Sequence, residues 1–201
     1  MKELTETRIV AVLRLRDHGL AAEVCDALVR GGIRVLELTQ DDPGALAALR
    51  RVAGIDAVVG AGTVMDAETV AAVADAGARF VVSPNVDAEV IAATLRAGLA
   101  PLPGALTATE VAAAVAAGAE IVKLFPAGSM GPGYLRALRG PFERVRFVPT
   151  GGIAHDAAGE WIAAGAVAVG LGSDLVGARP ADADLARIEA RARVAVEAAR
   201  A

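Results

Sequence analysis

The feature that most constrains this chain is a glycine that returns at near-constant intervals. Gly32, Gly54, Gly77, Gly98, Gly118, Gly140 and Gly165 follow one another at spacings of 22, 23, 21, 20, 22 and 25 residues. Each stands where an alanine-rich stretch hands over to a β-branched run. The left-handed backbone that closes many helices costs glycine no steric penalty, so each of these positions is expected to end a helix. A period of this length points to a repeated strand–helix unit.

The runs around the glycines supply the strands. Ile9-Val10-Ala11-Val12-Leu13 opens the chain, and Val35-Leu36-Glu37-Leu38, Ala57-Val58-Val59, Phe80-Val81-Val82, Ile121-Val122-Lys123-Leu124-Phe125 and Val167-Ala168-Val169 follow. They are short, apolar and β-branched, as parallel strands covered on both faces should be. Pro101-Leu102-Pro103 and Arg146-Phe147-Val148 are weaker candidates, the first because prolines erode a strand. Helical stretches such as 89–97 and 109–117 separate them, and 181–201 reads as one long final helix. Eight such units predict one domain over 1–201, a compact (β/α)8 TIM barrel near the lower limit of about 200 residues for that fold. A doubly wound sheet is the alternative, but the first turn, Arg14-Leu15-Arg16-Asp17-His18, lacks its glycine-rich fingerprint.

Composition narrows the partners. The net charge is −4 with both signs mixed along the chain, and no basic block alternates with aromatics, so no nucleic-acid surface is expected. The apolar runs are broken well before the roughly 18 residues of a membrane span, so no membrane contact is expected. The acidic start Met1-Lys2-Glu3-Leu4-Thr5-Glu6 shows no secretory signal, and a single cysteine, Cys25, suits the reducing cytoplasm. Cys25 reads as a small core residue beside Val24 and Leu28, and Trp161 as helix packing. His18 and His155 are far apart with no metal-ligand spacing around them, and read as surface or capping residues. A small molecule is the expected partner.

Among 20 basic residues only Lys2 and Lys123 are lysines, the rest being arginine. Lys2 is at the terminus, whereas Lys123 interrupts a strand that should be buried. Arginine cannot be deprotonated in a protein, so it cannot serve as an amine nucleophile. Burial disfavours an ammonium, and a lysine in a dry strand can present a free amine to a ketone. A structural lysine paired with a buried carboxylate is the other reading, and the residue count alone does not separate them.

Barrel active sites form at the C-terminal ends of the strands. Arg14 ends the first strand in phase with Val10 and Val12, and Glu37 interrupts the second with Thr39 on its face. Gly60-Ala61-Gly62-Thr63 follows the third strand and Ser83-Pro84-Asn85 the fourth. Glu37 is the natural general acid–base, or else the neutralising partner of Lys123 or Arg14; both readings place it beside the lysine. Thr63 either holds a substrate oxygen or caps the next helix. Thr150-Gly151-Gly152 and Gly170-Leu171-Gly172-Ser173 end the last two strands, where barrels bring backbone N–H groups to phosphate. Either glycine pair alone reads as a plain turn; both together favour a phosphate site.

In this order the motifs Gly31-Gly32-Ile33…Leu36-Glu37-Leu38-Thr39, Gly60-Ala61-Gly62-Thr63-Val64, Ser83-Pro84, Pro103-Gly104, Val122-Lys123-Leu124-Phe125-Pro126-Ala127, Gly140-Pro141-Phe142, Pro149-Thr150-Gly151-Gly152-Ile153 and Gly172-Ser173 carry a specific likeness. The chain resembles the 2-keto-3-deoxy-6-phosphogluconate / 4-hydroxy-2-oxoglutarate aldolase family, including its 2-keto-3-deoxy-6-phosphogalactonate branch. The resemblance implies a Schiff base on Lys123, proton shuttling by Glu37, and Thr63 holding the pyruvate carboxylate. It also implies a pocket shaped by Pro84 and Phe125, with phosphate bound by Gly151, Gly152, Gly172 and Ser173. It further implies a homotrimer that needs no metal or other cofactor and that releases pyruvate and glyceraldehyde 3-phosphate.

One departure bears on the substrate. The gluconate pattern after the glutamate is Thr-Leu-Arg, its arginine clamping the carboxylate; here the residues are Thr39-Gln40-Asp41-Asp42. Arg14 is the substitute cation, and the galactonate branch has an arginine equivalent to it; Asn85 and Gly172-Ser173-Asp174-Leu175 lean the same way. Three other classes of function remain open at this level. They are a barrel isomerase or epimerase using Glu37 as base, a non-catalytic phosphate-binding barrel, and, with no ligand set to support it, a metal-dependent aldolase.

Overall fold

A computed structural model describes residues 2–177, 180–181 and 184–200. The strands are β1 (Ile9–Leu13), β2 (Val35–Thr39), β3 (Val58–Gly62), β4 (Phe80–Val82), β5 (Ala100–Leu102), β6 (Gly104–Ala105), β7 (Ile121–Leu124), β8 (Arg146–Pro149) and β9 (Val169–Leu171). The helices are α1 (Glu3–Thr7), α2 (Ala21–Arg30), α3 (Ala45–Val52), α4 (Ala67–Asp75), α5 (Ala88–Arg96), α6 (Ala108–Ala116), α7 (Gly131–Arg139), α8 (Ala158–Ala163), α9 (Ser173–Val176) and α10 (Leu185–Ala198). Short 3-10 turns at His18–Leu20 and His155–Ala157 precede α2 and α8.

Every strand pairing is parallel, in two runs, β5-β4-β3-β2-β1-β9 and β6-β7-β8. The runs join where β5 continues into β6 across Pro103 and where Thr150 bridges Gly170 between β8 and β9. That ring is the predicted (β/α)8 barrel. Its fifth stave is split: β5 pairs with β4 and β6 with β7, and the break falls at Pro103, which has no N–H to donate.

Five of the seven periodic glycines close helices as expected. Gly32, Gly77, Gly98, Gly118 and Gly165 have φ of 96, 94, 73, 100 and 99°. In each, the glycine N–H and the next N–H turn back to helix carbonyls, as Gly32 to Val29 and Ile33 to Leu28. Gly54 and Gly140 depart from this: neither has positive φ. After α7 the chain keeps right-handed curvature through Gly140 (φ −49°), with Phe142 N bonded to Arg139 O, so no left-handed stop is used.

Two layers of apolar side chains sandwich the strands. The outer layer, against the helices, holds Ile9, Leu36, Val59, Val81, Val122 and Phe147. The inner cluster is Val10, Val35, Phe80, Val82, Leu102, Ile121, Val148 and Ala168, joined by Leu4 of α1. Val10, Val35, Phe80 and Ile121 of this cluster lie at the starts of their strands, so that end of the barrel is filled and the chemistry is left to the other. Inward glycines make room for large neighbours there: a Cβ at Gly60 would meet the Phe80 ring, and one at Gly170 would meet Thr150. Cys25 and Trp161 are buried in the outer layer. The final helix starts later than expected, because Ala181 N bonds to the Asp184 side chain ahead of it; positions 182, 183 and 201 of that prediction lie outside the described residues.

Candidate active site

Lys123 is the third residue of β7 and Glu37 the third of β2, each facing inward above an apolar residue two positions earlier. Counting β5 and β6 as one stave, β2 and β7 are four staves apart in a ring of eight, diametrically opposed. Their side chains therefore meet across the axis. Lys123 Nζ stands 3.6 Å from Glu37 Oε1, and the two residues are 8% and 2% exposed. Glu37 Oε1 is buried without a hydrogen-bond partner among the described residues. Glu37 can occupy this place because its β3 neighbours are glycines: Gly60 is in register with it, and a Cβ at Gly62 would meet its carboxyl group.

The residues around the pair come from the ends of other strands. The Phe125 ring centroid is 5.1 Å from Lys123 Nζ. Thr63 has φ of 58°, a left-handed conformation that a β-branched residue adopts only under constraint, at a cost of order 1–3 kcal/mol. It is not a helix cap: Asp66 caps α4 by accepting from Thr69 N. At the rim, Arg14 Nε is 3.3 Å from Asp41 Oδ2, and Thr39 Oγ1 donates to Asp41 Oδ1 at 2.8 Å. Asp41 is thus held by Arg14 and Thr39.

The loop after β8 carries Gly151 and Gly152 at φ of 93 and 73°, and Gly172, after β1's neighbour β9, leads into α9. The loop after β7 packs flat on this one, with Ala127 N donating to Thr150 O at 2.9 Å and Gly128 N to Gly151 O at 2.8 Å. A Cβ at Gly128 would strike the Gly152 backbone. Asp174 accepts at the same Oδ2 from His155 N (2.7 Å) and His155 Nδ1 (2.6 Å).

These groups line one cavity of about 650 Å³ at the C-terminal ends of the strands. Lys123, Glu37, Arg14, Thr63, Pro84, Phe125, Gly151, Gly152, Gly172 and Ser173 all lie on its wall. Asn85 does not; it is exposed outside it, its carbonyl accepting from Ser83 Oγ. Sequence reasoning missed Arg16, Thr150 and Asp174, which also line the wall. Alternation along Val10, Val12, Arg14 would have flagged Arg16, and the phase of Val148 would have flagged Thr150. His155 carried no signal of its contact with Asp174, whose partner lies 19 residues away. Among the described residues no group of three or more His, Cys, Asp or Glu is placed to hold a metal ion.

Residues 1–191 match the family model described as KDPG and KHG aldolase. The KHG/KDPG aldolase of Escherichia coli K12 is 38% identical, the alignment covering 98% of this chain and 94% of that one. The 2-dehydro-3-deoxy-6-phosphogalactonate aldolase of the same organism is 34% identical, covering 87% of each. A solved KDPG aldolase from Legionella pneumophila, with pyruvate captured at low pH as a covalent carbinolamine, superposes with a TM-score of 0.81 at 29% identity, over 98% of this chain and 94% of that one.

Proposed function

The chain belongs to the KDPG and KHG aldolase family, and from that premise we propose that it is a class I aldolase, a carbon–carbon lyase whose Schiff base forms on Lys123. Its substrate is a 2-keto-3-deoxy-6-phospho sugar acid of gluconate or galactonate type, cleaved to pyruvate and glyceraldehyde 3-phosphate, with 4-hydroxy-2-oxoglutarate as a further substrate. The rim built on Arg14, with Asp41 in place of a second arginine, favours the galactonate type.

One observation carries this reading: a buried amine and a buried carboxylate 3.6 Å apart, the carboxylate oxygen unpartnered among the described residues. A purely structural ion pair gains from closing to a hydrogen bond, since a buried acceptor left without one costs about 1–3 kcal/mol. A proton shuttle must stay open to a reacting hydroxyl. The Legionella relative supplies independent support, because a carbinolamine is the adduct that precedes a Schiff base.

The Lys123 amine adds to the C2 ketone, and Glu37 protonates the departing hydroxyl as water, leaving an iminium. Glu37 takes the C4 hydroxyl proton while the C3–C4 bond breaks; its electrons pass into the iminium to give an enamine, and C4 leaves as the aldehyde. The enamine is protonated at C3, and water releases pyruvate and restores the amine. Arg14 and Thr63 hold the carboxylate, Pro84 and Phe125 shape the wall, and the N–H groups of Gly151, Gly152, Gly172 and Ser173 receive the phosphate. One (β/α)8 domain does this work, and we take the assembly to be a homotrimer in the cytoplasm. The family resemblance supports the first, and a lone buried thiol suits the second.

The test is borohydride reduction with pyruvate, which should leave a stable mass adduct on Lys123. Lys123→Ala should lose the adduct and almost all pyruvate release from the phosphogluconate, phosphogalactonate and hydroxy-oxoglutarate substrates. An isomerase or epimerase would keep its activity in that variant. A non-catalytic binder would release no pyruvate from any of the three, and a metal-dependent aldolase would be inhibited by chelators.

A further inference from the structure

The cavity is proposed to take a carboxylate and a phosphate, yet an acid stands near each: Asp41 beside the wall residues Arg14 and Thr39, and Asp174 on the wall itself. Asp41 is held by Arg14 and Thr39. Asp174 sits on the wall with Gly151, Gly152, Gly172 and Ser173, where a phosphate monoester would be repelled by a free carboxylate. Its Oδ2 instead accepts two hydrogen bonds from one residue, His155 N at 2.7 Å and His155 Nδ1 at 2.6 Å. An ionised carboxylate can only accept, so Nδ1 carries the proton in this contact.

Both partners are anchored from behind. Arg191 on α10 donates from Nη1 to the Asp174 carbonyl at 2.6 Å. His155 opens the 3-10 turn before α8, whose Ala158 and Trp161 are buried in the outer core. Burial alone would raise the Asp174 carboxyl; the hydrogen bonds from His155, with the positive charge of Arg191 nearby, outweigh it and hold the group below the usual carboxylate range.

We propose that His155 is a positioning residue for the phosphate end of the substrate. By gripping Asp174 it ties the loop after β8 to the first turn of α9, sets the spacing between the Gly151-Gly152 and Gly172-Ser173 N–H groups, and turns the carboxylate away from the anion. The inference rests on the phosphate reading given above. His155 touches no reacting atom, so the chemical step at Lys123 does not depend on it.

The test compares the phosphorylated substrate with pyruvate, which has no phosphate. For wild type, His155→Ala, His155→Asn and the double variant His155→Ala/Asp174→Ala, one measures kcat and KM for the 6-phospho sugar acid. Alongside, one measures the pyruvate concentration that half-saturates reductive trapping on Lys123. His155→Ala should raise KM about tenfold or more, the worth of a hydrogen bond to a charged group, with kcat and half-saturating pyruvate within about twofold of wild type. His155→Asn, which keeps a side-chain N–H, should recover most of the loss, and the double variant part of it by removing the freed charge. Equal weakening of pyruvate and phosphorylated substrate, or no change in His155→Ala and His155→Asn, overturns the proposal. If wild type is not inhibited by inorganic phosphate and gains nothing from the 6-phosphate, the phosphate reading itself has failed and this inference falls with it.

Discussion

The carboxyl group of Glu37 fills the space in front of Gly62, where a Cβ would meet its Oε1, Cδ and Cγ atoms. The obstacle is the far end of a flexible side chain rather than backbone, so an added methyl would swing Glu37 aside instead of breaking the barrel. Gly62→Ala should therefore keep the far-ultraviolet circular dichroism of the parent while kcat falls about 10²–10⁴-fold, the usual worth of a positioned acid–base. An unfolded variant, or a folded one with full kcat, would refute this account of Glu37.

Arg14 meets Asp41 at the rim, and its side chain is 68% exposed. An exposed ion pair contributes about 0–1 kcal/mol to stability, so removing it should scarcely move the melting temperature. If its guanidinium grips the substrate carboxylate, Arg14→Ala should raise the KM for every keto acid substrate by about 10–100-fold, the cost of a charge-assisted hydrogen bond. A large drop in melting temperature with unchanged KM would show that Arg14 is structural.

Cys25 lies in α2 with no exposed surface, and burial first, then the neighbouring Asp26, pushes its thiol up to about 12. The thiolate is the reactive form, so the native protein at pH 8 should resist iodoacetamide, by mass spectrometry, over times that label the urea-unfolded chain fully. Rapid labelling of native protein would contradict the packing of α2 against the barrel.

The start of α6 makes a pH-dependent contribution whose sign can be worked out. Glu110 accepts from the N–H groups of Leu106 and Thr107 and from the Thr107 hydroxyl, and in that order these hold its carboxyl below the ordinary value. A group whose folded value is depressed stabilises the fold above the unfolded carboxylate range, and loses that contribution as pH falls through the folded value. Thr107→Ala should cost about 1 kcal/mol at pH 7 in urea unfolding. Glu110→Gln should destabilise the protein at pH 7 and by less near pH 3; an equal penalty at both would show that the charge is immaterial.

Much of this protein is written locally along the chain. The period of glycines and β-branched runs implied eight βα units because a helix end and a short buried strand are each decided within a few residues. Lys123 and Glu37 stood out because each is a charge inside an apolar run, and the glycine pairs because they end the last two staves. Elsewhere local reasoning misplaced strand ends: β3 runs to Gly62 rather than stopping at Val59, β9 is Val169–Leu171 rather than 167–169, and β7 stops at Leu124 rather than reaching Phe125. Glycines 60, 62 and 170 carry low strand propensity, yet they are strand residues because Phe80, Glu37 and Thr150 from neighbouring staves need their volume.

What the sequence determined by itself, then, is the repeat, the inward phase of each strand and the kinds of group presented at its end. Closure of the ring decided which of those groups meet: Glu37 with Lys123 across the axis, Arg14 with Asp41 at the rim, His155 with Asp174 beside the glycine loops. Alternation along a strand says which way a side chain points. The distance between two side chains on different staves depends on how far around the barrel those staves lie, a quantity that exists only once the first strand has paired with the last.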